Sequence, residues 1–422
     1  MTEQLFALTL VAAGVSTFGF VDTASATNRN VKLCAEYKAD FTDSGLGLPV
    51  AERDDYMYSN SNKNARGVKL RIISSQPGAA NINLWTDWNG SDAGCADVVL
   101  DDIWTYDVKI LSRTKIDDVY VEVNSTGSTA WSSTPLSNWT PVAGTTNIET
   151  VNAHRAWNMT AAMSWALYRR RYGVSGETFI AHTDDVSPCS AGAAACQSGG
   201  EMWFNNSSSL IGYRYVHVHE LGHLLAYKFD GHNGSSKNYN AAAPTCQKFG
   251  GGTDGHAMAT KEHASAAAVE GFAHYYAAVA FNNTSESNCA FMYNKTQDFD
   301  RTDAAASDFS PPDSISCEGS PVWDLSIVDA RDYVDDMCTG TLNHRGNELD
   351  FLRFFWDLDT DEGLSFGEVA ELYDRANPRN WNAVGVNGSA DNVWDRLVSA
   401  ASNASLLVLT EVNAQANNGV NH

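Results

Sequence analysis

The spacing of apolar side chains changes once along this chain, and that change constrains the fold more than any other feature. Between residues 27 and 123, apolar and polar residues alternate, as they do over 31–38 and 119–123. A period of two is typical of strands that bury one face. Over 147–171, apolar residues recur instead at the three- and four-residue spacing of a helix. The sequence therefore predicts a β-rich N-terminal part followed by a part with long helices.

The N-terminal part is predicted to be a small sheet structure. Runs with a period of two occur at 31–38, 68–72, 82–84, 106–110 and 119–123, separated by clusters of Gly, Asn, Asp and Ser. Several short strands with turn residues between them favour a β-sandwich-like module, here 27–124. The Ser- and Thr-rich segment 125–140 is predicted to be a linker. A propeptide, a substrate-binding domain and a packing unit are all compatible with this pattern.

The first 26 residues predict export. Residues 5–21 are nearly uncharged and end near Ala24-Ser25-Ala26, a small-residue site of the kind that signal peptidase cleaves. No Lys or Arg precedes the apolar run, which departs from the usual signal peptide. A membrane anchor is the alternative, but Gly14 and Gly19 dilute the segment and no basic flank follows it. We predict that 1–26 is a cleaved signal peptide.

The charge balance argues against nucleic acid as a partner. The chain has 28 Lys and Arg against 51 Asp and Glu, a formal net charge of −23. Such a surface repels a polyanion. The remaining sequence has no other apolar run long enough to span a bilayer. We therefore expect no membrane association after signal cleavage.

The eight cysteines predict disulfides. Their number is even, none lies in a C-x-x-C pair, and the chain has the features of an exported protein. Proximity in sequence pairs Cys34 with Cys95, and Cys189 with Cys196. Pairing is left open for the other four, which are Cys246, Cys289, Cys317 and Cys338.

A short motif in the middle of the chain predicts a metal site. His219-Glu220-Leu221-Gly222-His223 lies in a predicted helix over 213–229, after a predicted strand at 202–204. Residues four apart share a helix face, so His219 and His223 can bind one ion. Glu220 points about 100° round the helix, where it can act as a base on a water activated by the ion. The H-E-x-x-H motif is typical of zinc hydrolases.

The strand, loop and metal-binding helix resemble the zincin clan of metallopeptidases, which implies a third protein ligand. Glu270 is the best candidate, because it lies in a predicted alanine-rich helix over 263–281 that can pack closely on the first. A ligand from a downstream helix resembles the gluzincin type. The astacin-like extension is absent, and His274 stands where thermolysin-like enzymes have a supporting Asp. The alternative third ligands are His232, His256 and His263.

The C-terminal third carries two further predictions. The resemblance to thermolysin-like and fungalysin-like enzymes implies that His344, just before a predicted helix at 347–358, binds the developing oxyanion. Tyr275 and Tyr276 are its rivals in that role.

An acidic stretch between two predicted helices is similar to a calcium-binding loop. Its candidate ligands at loop positions 1, 3, 5 and 12 are Asp357, Asp359, Asp361 and Glu368. Gly363, however, comes one place late for the sharp turn that such a loop needs. The alternative is a solvated acidic turn in which Ser365 caps the next helix.

Together these features predict an α+β protein with an N-terminal β-sandwich-like module and a zincin-type metallopeptidase domain at 141–412. That domain would have a mostly helical C-terminal lobe from about residue 255, with a flexible tail at 413–422. The predicted function is that of a secreted, monomeric zinc endopeptidase acting on protein or peptide. Zn²⁺ would bind His219, His223 and Glu270, and Ca²⁺ is a further predicted ion. The alternative is a secreted, non-catalytic binding protein with a structural zinc site.

Overall fold

The structure is a computed structural model. It describes residues 27–41, 62–125, 129–150, 155–183, 188, 195–205, 212–230, 262–282, 284–285, 290–291, 315–316, 345–346, 348–378, 393–403, 405–416 and 420. The predicted signal peptide lies outside these ranges. Within them, no helix is long and apolar enough to cross a membrane.

Two large sheets contain most of the strands. Their strands are β1 (Asn28–Lys38), β2 (Asn62–Asn64), β3 (Val68–Ser74), β4 (Ile82–Trp85), β5 (Cys95–Asp101), β6 (Tyr106–Ile116), β7 (Val119–Asn124), β8 (Ser132–Trp139), β9 (Gly144–Glu149), β10 (Thr178–His182), β11 (Ala195–Ser198) and β12 (Glu201–Phe204). The five predicted period-two runs are confirmed as β1, β3, β4, β6 and β7. In β1, β3, β6 and β7 the apolar side chains of these runs are buried because each strand turns alternate residues to the core, whereas those of β4 are only partly buried.

In the four-stranded sheet, β1 pairs antiparallel with β2 and β5 and parallel with β9. A disulfide joins Cys34 and Cys95, which are directly opposite each other on β1 and β5. That predicted pair is confirmed. Cys196 on β11 is also disulfide-bonded, and its partner lies outside the described residues.

The eight-stranded sheet extends across the predicted domain boundary. Its order is β11-β12-β10-β7-β6-β3-β4, with β8 also paired to β6. Strand β7 of the predicted module pairs in parallel with β10 of the predicted catalytic domain. Strand β8 lies inside the segment predicted as a linker. Ser, Thr and Pro suit a half-exposed strand at a sheet edge as well as a linker, so composition did not distinguish the two.

Seven helices lie in the described ranges. They are α1 (Arg155–Arg169), α2 (Arg214–Phe229), α3 (Ala264–Phe281), α4 (Glu348–Thr360), α5 (Phe366–Ala376), α6 (Val393–Ala401) and α7 (Leu409–Ala414). The helix predicted over 147–171 begins at Arg155 instead, because residues 144–149 form β9 against β1. Two-residue strands β13 (Glu262–His263) and β16 (Arg345–Gly346) pair just ahead of α3 and α4, and β14 (Ala290–Phe291) pairs with β15 (Ile315–Ser316). At this coarse level the chain is α+β.

Three helices cross closely at two glycines. A Cβ on Gly222 of α2 would lie 2.9 Å from the Cα atom of Ala273 on α3. A Cβ on Gly271 of α3 would lie 2.3 Å from the Cβ of Phe351 on α4. Every side chain of α3 is buried. The missing side chains therefore allow α2, α3 and α4 to approach closely enough for their polar residues to meet.

Candidate metal centre

Helix α2 holds two histidines of the H-E-x-x-H motif on one face. His219 and His223 are one turn apart, and their Nε2 atoms lie 3.1 Å from each other. Both side chains are nearly buried, at 7 % and 8 % exposure. Glu220, on the same helix, is buried to the same degree. The observed helix agrees with the predicted one within one residue.

Helix α3 brings Glu270 to the same point. Its Oε2 atom lies 3.2 Å from Nε2 of His219 and 3.1 Å from Nε2 of His223. The contact of Gly222 with Ala273 explains this approach, because a larger residue would push α2 and α3 apart. A buried glutamate is seldom found without a partner, and here two imidazoles face it.

His274 lies one turn after Glu270 and completes a buried polar cluster. Its ring centroid is 4.2 Å from that of His219. One ligand atom each from His219, Glu270 and His274 lies within 4.8 Å of the other two, so this group could hold a metal ion. Two sets of three donors thus share His219 and Glu270, one with His223 and one with His274.

A carboxylate on α4 contacts the imidazole of His274. Nε2 of His274 lies 3.0 Å from Oε2 of Glu348, and both side chains are fully buried. Glu348 was missed by sequence reasoning, which predicted the helix at 347–358 but gave no role to its acidic residue at 348. The available signal was an acid at the start of an otherwise apolar run, but helices commonly begin with acids that favour the N-terminal dipole.

Burial disfavours the protonated form of two of these imidazoles. Loss of solvation is the largest of the causes that together lower the pKa of His219 to about 3; the nearby His274 and His223 act in the same direction, and Glu270 opposes them. Burial also lowers the pKa of His274, although Glu348 opposes that change. A neutral imidazole has a lone pair for a metal, so the site suits a cation better than a set of protonated histidines.

The rival oxyanion residues on α3 are engaged elsewhere. The hydroxyl of Tyr275 donates to Asp359 at 2.7 Å, and that of Tyr276 donates to the carbonyl oxygen of Arg170 at 3.0 Å. His344 lies outside the described residues, as do His232 and His256 and the side chain of His263. Their predicted roles therefore stay predictions.

The residues of the predicted calcium loop lie at the end of one helix and the start of the next. Asp357 and Asp359 belong to the last turn of α4, so the first loop positions are helical. Ser365 and Glu368 form a capping box at the start of α5. The carboxylate of Glu368, the candidate ligand at the last loop position, is therefore used in the cap. These acids form no group that could hold an ion among the described residues. The alternative interpretation, in which Ser365 caps the next helix, is confirmed.

No family model matches the chain, and a search of curated proteins finds no match.

Proposed function

We propose that this protein is an exported, zinc-dependent endopeptidase whose metal ligands are His219, His223 and Glu270. The observation that carries the proposal is the meeting of three buried donor atoms at separations of 3.1 to 3.2 Å. They come from two helices. Glu270 is 47 residues from His223 in sequence and farther from His219. Such convergence of neutral and anionic donors needs a cation to offset its cost.

The donor set fits zinc. Ligands about 2.0–2.1 Å from a tetrahedral Zn²⁺ ion lie about 3.3 Å from one another, close to the separations found here. Two imidazoles and one carboxylate are a set that zinc takes at catalytic sites, where a fourth position is kept for water. Hard cations such as Ca²⁺ prefer more oxygen ligands than the single carboxylate supplies.

The residues around the donors support hydrolysis. Glu220 follows His219 and is turned about 100° around α2, so it is not in line with the two histidines. We assign it the role of general base, which takes a proton from the attacking water and later gives it to the leaving amine. Zn²⁺ bound by the three donors would supply Lewis-acid activation of that water and of the scissile carbonyl. His344 stays the proposed oxyanion residue, since Tyr275 and Tyr276 donate to other groups.

The order of the surrounding elements supports the same class. Helix α1, strands β10 to β12 and then α2 follow one another as they do in the upper lobe of zincins, to which the sequence is similar. The disulfide between Cys34 and Cys95 supports export, because such bonds persist in oxidising compartments.

A second candidate function has one specific observation in its favour. His274 offers a ligand atom within 4.8 Å of those of His219 and Glu270. If His274 bound the ion together with the other three, four protein ligands would close the site, as in structural zinc centres. The protein would then be an exported binding protein with a structural zinc ion.

The two candidates differ in metal-dependent proteolysis. We expect the purified protein to cleave casein, to lose that activity with a chelator and to regain it with Zn²⁺. Glu270→Ala should lose both zinc and activity. The matched control is Glu201→Gln, which changes another Glu that contacts a His, 2.7 Å from His182, and should keep both. A zinc-loaded protein that never cleaves casein would favour the binding protein.

A further inference from the structure

One face of the eight-stranded sheet carries five cations. Lys69 and Arg71 on β3 alternate with buried Val68, Leu70 and Ile72, so the two cations point away from the core. On β6, Lys109, Arg113 and Lys115 are likewise partly exposed between buried neighbours, and the buried Leu111 lies between the first two. The hydroxyl of Thr114, between the last two, contacts Ser164 on α1, which places α1 on the opposite side of the sheet. We call Lys69, Arg71, Lys109, Arg113 and Lys115 the basic face.

Folding alone gives no reason to collect these charges. Arg71 and Lys109 are direct partners across β3 and β6, and like charges in that position destabilise a sheet. Within the part of the chain that the structure describes, Arg71, Lys109 and Lys115 make no ion pair. Burial lowers the pKa of Lys69, and the nearby Arg113 and Arg71 lower it further. The net charge of −23 predicts that the chain as a whole repels polyanions, but this concentration of cations makes one face locally favourable to them.

Two aromatic rings lie among the cations. Nζ of Lys69 is 5.7 Å from the ring centroid of Trp85, and Cζ of Arg113 is 5.4 Å from that of Tyr120. The two rings are 5.8 Å apart and tilted by 51°. Arg113 also pairs with Glu122 at 3.2 Å. The face is therefore mainly cationic and partly aromatic.

We propose that the basic face binds an acidic polysaccharide, whose carboxylates pair with the cations and whose sugar rings lie against the aromatic side chains. The charges are complementary, and half-buried cations without ion pairs are ready to take carboxylates. An acidic peptide fits less well. Extended peptides gain affinity by pairing with a free strand edge, but β3 and β6 are interior strands with their backbones already paired. This inference goes beyond the proposed peptidase activity and needs no metal.

The test measures binding of polygalacturonate to the full-length protein by calorimetry at low and high salt. We expect salt-sensitive binding that is at least about tenfold weaker in Arg71→Ser/Lys109→Ser, since both cations face the ligand. Lys38→Ser/Arg155→Ser removes the same charge from exposed positions elsewhere and should bind as the wild type does. If the double variant does not fold, Lys115→Ser is the independent test, and it should lower the affinity for polygalacturonate by a smaller factor.

Three results would overturn the proposal. If the wild-type protein does not bind polygalacturonate, the proposed ligand class is wrong. If the Arg71/Lys109 variant binds as tightly as the wild type, the proposed binding site is wrong. Polyglutamate binding as tightly as polygalacturonate, and lost in the same variant, would show an acidic-peptide surface instead. Neutral dextran should not bind.

Discussion

The imidazole of His274 and the carboxylate of Glu348 form a fully buried pair, with Nε2 and Oε2 3.0 Å apart. Because the ring of His274 lies 4.2 Å from that of His219, this pair connects α4 to the candidate metal ligands on α2. A buried carboxylate that fixes the orientation of a histidine is a common support of metal sites. We infer that Glu348 is a positioning residue for the metal centre.

Replacing Glu348 with Gln keeps the shape of the side chain and removes its charge. We expect zinc affinity to fall, but by less than the roughly 10-fold typical for a group that supports a ligand directly, since Glu348 acts on His219 through His274. Competition with a fluorescent chelator measures the affinity, and steady-state kinetics should show a lower kcat with little change in KM. Glu201→Gln is the control. If Glu348→Gln lowers the Tm but leaves zinc affinity and kcat unchanged, Glu348 is only structural.

The close crossing of α3 and α4 makes Gly271 sensitive to size. A Cβ there would lie 2.3 Å from the Cβ of Phe351 and 3.0 Å from the carbonyl oxygen of Glu348. We expect Gly271→Ala to lower the free energy of unfolding by about 1–3 kcal/mol, because overpacking a core forces backbone shifts. Urea denaturation checks this. Gly367→Ala on α5, where the nearest atom is 3.8 Å away, should be neutral or stabilising; equal losses in both variants would contradict the packing argument.

Two adjacent tyrosines on α3 provide a matched pair for pH dependence. Burial raises the pKa of Asp359, and the hydrogen bond from Tyr275 opposes that rise by stabilising the charged form. Tyr275→Phe should therefore raise the pKa of Asp359 further. It should lower the free energy of unfolding by about 1–3 kcal/mol when Asp359 is charged, and by less as the pH falls and Asp359 is protonated. Tyr276→Phe removes a donor from the neutral carbonyl group of Arg170. The loss of stability caused by Tyr276→Phe, measured by denaturation from pH 4 to 8, should not vary with pH. If the two variants lose stability with the same pH dependence, the proposed role of the Asp359 charge is wrong.

Asp374 on α5 predicts a second pH effect. Burial, followed by repulsion from Asp230, raises its pKa from 3.8 to about 6. The folded state therefore holds a proton that the unfolded state releases, and stability falls as the pH rises between these two values. Asp374→Asn should add about 1 kcal/mol of stability at pH 8, after allowance for solvent screening, and little at pH 4. Asp361→Asn, at an exposed position, is the control; a gain that is the same at both pH values would refute the mechanism.

The local parts of the site follow from sequence, and the long-range parts do not. Helical spacing places His219 and His223 on one face, and the alanines of the second predicted helix indicated that it could bring Glu270 close. The pairing of His274 with Glu348 depends on how α3 crosses α4, and no spacing rule connects residues 74 positions apart. The same limit applies to sheets: the period of two identified β7, but its pairing with β10 across the predicted boundary depends on tertiary packing.

The calcium prediction shows a different limit. The spacing of Asp357, Asp359 and Asp361 suits a calcium loop, but it is also compatible with a helix that continues to Thr360. The capping box of Ser365 and Glu368 then begins α5, and the late position of Gly363 was the sequence signal for this outcome.

The most direct test of the account is the activity of Glu220→Gln. This variant keeps all three proposed ligands and removes only the proposed base. We expect full zinc content by atomic absorption, an unchanged fold by circular dichroism, and a rate of casein cleavage reduced by at least about 100-fold, since general base catalysis contributes on that order or more. Casein cleavage at the wild-type rate by the zinc-loaded variant would contradict the assignment of this site.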